Sequence, residues 1–182
     1  VLPRLQQVFI STDQAISEKT AADFTVFQAF GIDYDANVYL LDMIRMKASV
    51  DACVDALVEF TKETARRWGR LDGVLFENVG FQSVFQQLIM KVDPQMPTVG
   101  VVPRGDKGHR ASFVSDWVRR GKFFINQSID QLEQIISEWM NFPLHKHDDT
   151  LDPSGLLFQH LNLAISAAEV STRLIGQVAR AQ

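Results

Sequence analysis

Gly73-Val-Leu-Phe-Glu77 and, further on, Pro97-Thr-Val-Gly-Val-Val102 decide the fold. Each stretch is short, bounded by turn formers and apolar on both alternations, which is the pattern of a parallel strand covered on two faces. Parallel neighbours need a crossover, and the run from Phe81 to about Met90 between them reads as a helix. An α/β chain is therefore expected. Toward the N-terminus, Gln7-Val-Phe-Ile-Ser-Thr-Asp13 reads as another buried strand. The runs from Thr25 to Ile32 and from Asn37 to Ile44 flank Asp33-Tyr-Asp-Ala36, a loop of turn formers, and so read as an antiparallel hairpin. Ser49, a good N-cap, opens a helix whose apolar residues Val50, Cys53, Val54, Leu57, Phe60 and Trp68 share a face.

Toward the C-terminus, the stretch from Asp106 to Arg120 is expected to be helical and Phe123-Phe-Ile125 extended. Ile129, Leu132, Ile135, Ile136, Trp139 and Met140 mark another helix face, which Pro143 ends. The run from Pro153 to about Val178 is long, apolar and nearly free of charge. It reads as a buried terminal helix, with Asp152 as its N-cap and Pro153 at its first position. The order β-β-β-α-β-α-β-α-(β)-α-α predicts a central mixed sheet of about five strands with helices on both faces. No linker or repeat interrupts it, so residues 1–182 are expected to form one domain.

Composition narrows the class. The chain has 182 residues, 46% of them hydrophobic and 22% charged, which excludes disordered and collagen-like classes. The single cysteine, Cys53, excludes an internal disulfide and suits a reducing compartment. No apolar run approaches the 18 or so residues of a membrane span. The start at Val1 has neither an initiator Met nor a secretory layout. We therefore expect a cytosolic fragment of a longer protein. Lys and Arg number 18 against 22 Asp and Glu, yet the segment from Lys91 to Lys122 holds seven basic and three acidic residues. A basic strip facing a polyanion fits that asymmetry, as do ordinary solvated faces.

Three acidic points fall at element ends: Asp13 closes the first strand, Glu77 closes the fourth, and Asp148-Asp149 precede the last helix. If the first and fourth strands are neighbours, all three converge. Clustered carboxylates raise one another's pKa unless a divalent cation neutralises them, and hard oxygen ligands favour magnesium or manganese. A pair of such ions about 3.5–4 Å apart suits phosphodiester hydrolysis by activated water. Each acid also has a plainer reading. Asp13 suits a turn or cap, Asp148 and Asp149 suit a solvated loop or a helix N-terminus, and only Glu77, after Val-Leu-Phe, is hard to explain without a partner. Arg104-Gly-Asp-Lys107-Gly-His-Arg110 places Lys107 and Arg110 at the opening of a helix, where they suit a phosphate contact or ordinary surface charge. His145 and His147 lack the spaced partners of a zinc site. Cys53 falls on an apolar helix face, and neither a P-loop nor a dinucleotide fingerprint occurs.

Taken together, Ser11-Thr-Asp13-Gln-Ala15, Ala22-Asp23-Phe-Thr25, Val74-Leu-Phe-Glu77-Asn-Val-Gly80, Asp106-Lys107 with Arg110, and His147-Asp148-Asp149-Thr-Leu-Asp152 resemble the nuclease domain of the phage large terminase subunit. That family is ribonuclease H-like, and the resemblance spans most of the chain. It implies a metal-dependent endonuclease that cuts both strands of concatemeric duplex DNA with low sequence specificity. By resemblance Asp13, Glu77 and Asp149, with Asp148 beside it, bind two metal ions, and Lys107 and Arg110 contact DNA phosphate or the edge of the active site; we expect Asp13 to bridge both ions, Glu77 to hold one and Asp148 and Asp149 the other. The same resemblance implies a parent chain with an N-terminal ATPase domain, the portal protein and the small terminase subunit as partners, and the cytoplasm of an infected bacterium. This sequence departs from the pattern at Pro153, where a small residue is usual. The rival expectations are another ribonuclease H-like nuclease of the junction-resolvase type, and a non-catalytic DNA- or capsid-docking module.

Overall fold

The computed structural model of the chain describes residues 2–14, 24–78, 82–144 and 149–162. Strands β1 (Leu5–Asp13), β2 (Thr25–Asp33) and β3 (Val38–Met46) come first, followed by helix α1 (Val50–Trp68). Strand β4 (Gly73–Glu77), helix α2 (Gln82–Val92), strand β5 (Thr98–Val101), helix α3 (Lys107–Arg119), strand β6 (Phe123–Ile125) and helix α4 (Leu132–Met140) complete the alternation. A further helix, α5, is described over residues 151–162, and the rest of the terminal helix expected to about Val178 lies outside the described residues. The sheet has six strands in the order β5-β4-β1-β2-β3-β6. The pairs β1–β2 and β2–β3 are antiparallel, whereas β1–β4, β4–β5 and β3–β6 are parallel.

The expected mixed α/β architecture is thus the observed one, and the Phe123-Phe-Ile125 segment adds its sixth strand. Three residues give too little periodicity to mark a strand, and pairing with the edge of β3 supplies what local pattern lacks. The hairpin closes on Asp33, whose Oδ1 accepts from the Asp35 and Asn37 amides and whose Oδ2 accepts from Asn37 Nδ2 and Tyr39 Oη. Those bonds outweigh the opposing effect of desolvation and hold its carboxyl below the ordinary carboxylate range.

Alternation along the strands divides the interior into two cores. Val8, Ile10, Phe27, Ala29, Val74 and Phe76 pack under α1 and α2 with Cys53, Leu57, Phe85 and Ile89. Phe9, Val26, Phe30 and Leu75 pack on the opposite face with Val114, Trp117, Ile135, Leu157 and Phe158 of α3, α4 and α5. Strand β3 bulges at Leu41, between the pairs Phe30–Leu40 and Ala29–Asp42, so Val38, Leu40 and Met43 share a face while Leu41 turns to the other. Ser49 caps α1 through a bond from the Ala52 amide, and Asp106 caps α3 through one from His109.

Two sequence expectations change at the C-terminal end. Helix α4 begins at Leu132, leaving Ile129 in the preceding turn although its side chain remains in the core. Helix α5 begins at residue 151, so Asp152 is not its N-cap; it lies in the first turn, and Thr150 occupies the cap position. Pro153 is still tolerated because amides of the first helical turn have no intrahelical acceptor.

Candidate active site

The strand register brings two of the expected acids to one level. Phe9, Ile10 and Ser11 of β1 pair with Gly73, Val74 and Leu75 of β4, and the same offset carried to the strand ends sets Asp13 beside Glu77. The Thr12 hydroxyl, which donates to the Leu75 carbonyl at 2.8 Å, clamps the two ends together. Since Phe9 and Leu75 face the α3–α5 layer, alternation by two puts Asp13 and Glu77 on that face as well. Val26 stands opposite Asp13 on β2 and opposite Arg45 on β3. Glu77, Asp13, Val26 and Arg45 therefore form one row across the sheet, with the Asp13 and Arg45 backbones about 10 Å apart across the two strand spacings.

Helices α3 and α5 close over this row and bring further charges. Asp152 accepts from Lys107 Nζ and Arg110 Nη2, each at 3.0 Å. Close approach of the two helices is possible because Gly155 lacks a Cβ; one placed there would lie 3.1 Å from Arg110 Cβ and 3.3 Å from the Arg110 carbonyl oxygen. The loop before α3 is tied to α5 by buried Gln159, which accepts from the Arg104 amide and donates to the Val102 carbonyl.

The turn before α5 is anchored from below. Gln28, fully buried in β2, donates to the Thr150 carbonyl at 2.9 Å and accepts from the Ser154 hydroxyl at 2.7 Å. Buried Glu138 of α4 accepts from both the amide and the hydroxyl of Thr150, and Trp139 Nε1 donates to that hydroxyl as well. These bonds fix Asp149, whose Oδ2 accepts from Arg45 Nη2 at 3.2 Å.

Electrostatics connects these groups. Burial pushes the Asp13 carboxyl well above the ordinary carboxylate range, and the negative charges of Asp152, Glu77 and Asp149 push it further. Lys107 pulls the other way without cancelling them. Asp13, Glu77 and Asp149 are thus brought to one end of the sheet, as the sequence suggested. Asp148 and both loop histidines lie outside the described residues. Lys107 and Arg110 reach the same place, where they meet Asp152. Asp152 is the acid that local reading misassigned, because an Asp-Pro pair matches a helix cap whatever its charge faces.

Arg45, Glu138 and Gln28 were not singled out from sequence. Their signal was a polar residue inside an apolar strand or on an apolar helix face, which costs stability unless a partner awaits it. Carboxylate oxygens are the hard donors that a divalent cation of the magnesium or manganese kind prefers, and such an ion would relieve the repulsion that Asp13 experiences. Among the described residues no three His, Cys, Asp or Glu side chains are arranged to hold a metal ion. Asp149 is engaged by Arg45 in this arrangement and Asp152 by Lys107 and Arg110.

No protein-family model matches the chain, and no curated protein matches its sequence. Solved structures do match. The human cytomegalovirus terminase nuclease domain, soaked with Mn, superposes with a TM-score of 0.63 at 13% identity, covering 86% of this chain and 83% of that one. The large terminase nuclease from thermophilic phage G20c, with bound magnesium, superposes with a TM-score of 0.59 at 15% identity, covering 84% of this chain and 80% of that one. The same G20c nuclease with bound zinc gives 0.59 at 17% identity. Across a six-stranded mixed sheet and most of its length, this chain has the ribonuclease H-like fold of the terminase nuclease domains.

Proposed function

We propose that the chain is a metal-dependent nuclease domain of the terminase type, which hydrolyses phosphodiester bonds of duplex DNA with little base specificity. The observation that carries this reading is the gathering of Asp13, Glu77, Asp149 and Asp152 at one sheet end, with the ionised form of Asp13 disfavoured by burial and by the other three. Carboxylates gathered at one sheet end supply the hard oxygen donors that such cations prefer. The relatives of this fold were solved with Mn and with magnesium.

In this reading Asp13, Glu77, Asp148 and Asp149 would hold the divalent cations. Bound there, such ions polarise a phosphoryl oxygen and lower the pKa of an attacking water. Lys107 and Arg110 neutralise and hold the phosphate backbone, which needs charge but reads no base. Asp152 keeps both basic heads pointed at the site when no phosphate is there. Thr12, bonded across to β4, keeps the Asp13 and Glu77 strand ends level. The proposal extends to a packaging context: concatemeric viral DNA as substrate, an ATPase domain in the parent chain, portal and small terminase subunits as partners, and the host cytoplasm as location. Among the described residues no helix is long and apolar enough to cross a membrane.

Incubation of supercoiled plasmid with the chain in manganese, in magnesium and in chelator tests the reading. Nicked and linear products are expected with the metals and none with chelator, while Asp13→Asn and Glu77→Gln should reduce cutting to background. An intact plasmid with wild type, or unchanged cutting by Asp13→Asn, would refute it. The alternative, a non-catalytic DNA- or capsid-docking module, is favoured by the absence of a ready three-ligand group among the described residues. DNA retention without cleavage in every metal would select it.

A further inference from the structure

Arg45 is a buried cation placed where a sheet needs none. Its side chain is 4% exposed and its guanidinium lies over the Phe24 ring, with Cζ 3.3 Å from the centroid. One nitrogen, Nη2, reaches both Glu138 Oε1 at 3.3 Å and Asp149 Oδ2 at 3.2 Å. With its amide oxygen facing the guanidinium, Gln134 accepts from Nη1 at 2.9 Å and Nη2 at 3.2 Å. Arg45 Nε is buried without a partner. An arginine confined this closely, with a donor left unpaired, costs stability that a packed apolar residue would not.

The two acids it joins are not equivalent. Glu138 is fully buried and already accepts from the amide and hydroxyl of Thr150. Asp149 is 17% exposed, and its charge is felt at Asp13 across the row. Arg45 and Glu138 thus form a neutral buried pair whose spare N–H is presented to Asp149. We propose that Arg45 is a positioning residue of the site: anchored by Glu138, it aims the Asp149 carboxylate at the strand-end acids. The inference rests on the reading of Asp149 as a cation ligand. Partners that orient a ligand in this way typically govern metal affinity by about 10–100-fold.

A lone positive charge beside a cation site would also repel the ion, so deletion of Arg45 by itself mixes two effects of opposite sign. The double substitution Arg45→Met with Glu138→Gln removes a neutral pair; because Glu138 also anchors Thr150, a loss of affinity in it counts for Arg45 only where Arg45→Lys, which leaves that anchor intact, weakens binding too. Arg45→Lys keeps the charge but loses the planar fork. Mn²⁺ titrated into the full chain, with free ion read by electron paramagnetic resonance, measures affinity independently of cleavage. Circular dichroism checks that each variant is folded.

The dissociation constant should rise about 10–100-fold in the double variant and about tenfold in Arg45→Lys. Should the double variant fail to fold, Arg45→Lys decides alone. Affinity equal to or tighter than wild type in the folded variants overturns the positioning role and leaves the nuclease reading standing. A wild type that binds Mn²⁺ without cutting plasmid overturns the nuclease reading and leaves Arg45's role standing. A wild type that binds no Mn²⁺ overturns both.

Discussion

Asp13 shows how a single residue can be costly to the fold and necessary to the proposed chemistry. Its carboxyl is held above the ordinary range by burial and by three neighbouring acids, so the folded state binds that proton more tightly than the unfolded chain does. Ionising this side chain therefore costs the metal-free fold stability. This penalty fades as pH falls from the raised pKa through the ordinary carboxylate value. Asp13→Asn should accordingly have a higher urea midpoint than wild type in chelator at pH 7, and the gap should close on acidification through that window. Added Mn²⁺ should raise the thermal midpoint of wild type and have little effect on the variant, since a ligand stabilises only the state that binds it. Equal midpoints in chelator would show that the acids do not strain one another. Among single residues, Asp13 and Glu77 were readable because each ends an apolar strand with a charge. Asp152 was not, because its local context satisfies a capping rule and nothing in that rule reveals Lys107 and Arg110 across the helix interface.

Between elements, the contact of α3 with α5 decides where the basic side chains lie. Gly155 marks the closest approach, and a Cβ there would press on the Arg110 backbone. Gly155→Ala gains roughly 1 kcal/mol of helix propensity, which offsets part of the crowding. Gly155→Val has no such margin and should cost about 1–3 kcal/mol, as overpacking does. A urea denaturation series measures this. Filter binding of duplex DNA should weaken in parallel as Arg110 is pushed off its place beside Asp152, and DNA binding that survives undiminished would separate the helix contact from the site. Helices α1 and α3 were legible with their caps, Ser49 and Asp106, because capping is written within a few residues. Strand β6 and the start of α4 were less so. A three-residue strand is held by its partner's hydrogen bonds, and the left-handed Gln131 before α4 is not signalled by residue type.

For the whole molecule, the two cores carry different duties. The α1–α2 side packs apolar residues such as Leu57, Phe85 and Ile89 against the sheet. The α3–α5 side carries both the second core and the site. Phe158 is at its centre, fully buried, with its ring 5.3 Å from Trp117 of α3 and 5.3 Å from Phe123 of β6. Phe158→Ala should cost about 3–5 kcal/mol in urea unfolding, because the cavity would lie where three elements meet. A loss near 1 kcal/mol would mean that the layer closes over the gap and that the site tolerates movement beneath it.

The sequence by itself determined the class of the fold and most of its elements, since apolar period, turn residues and helix caps act over a few residues along the chain. It also marked Asp13, Glu77 and Asp149 as charges at element ends. Only the tertiary structure decided that β1 lies beside β4, that Asp13 and Arg45 share a row through Val26, and that Asp152 meets Lys107 and Arg110. The physical reason is reach. Propensity and periodicity are local, whereas a Coulomb interaction or a buried hydrogen bond depends on distance in space, and no spacing along the chain encodes the sheet order that sets those distances.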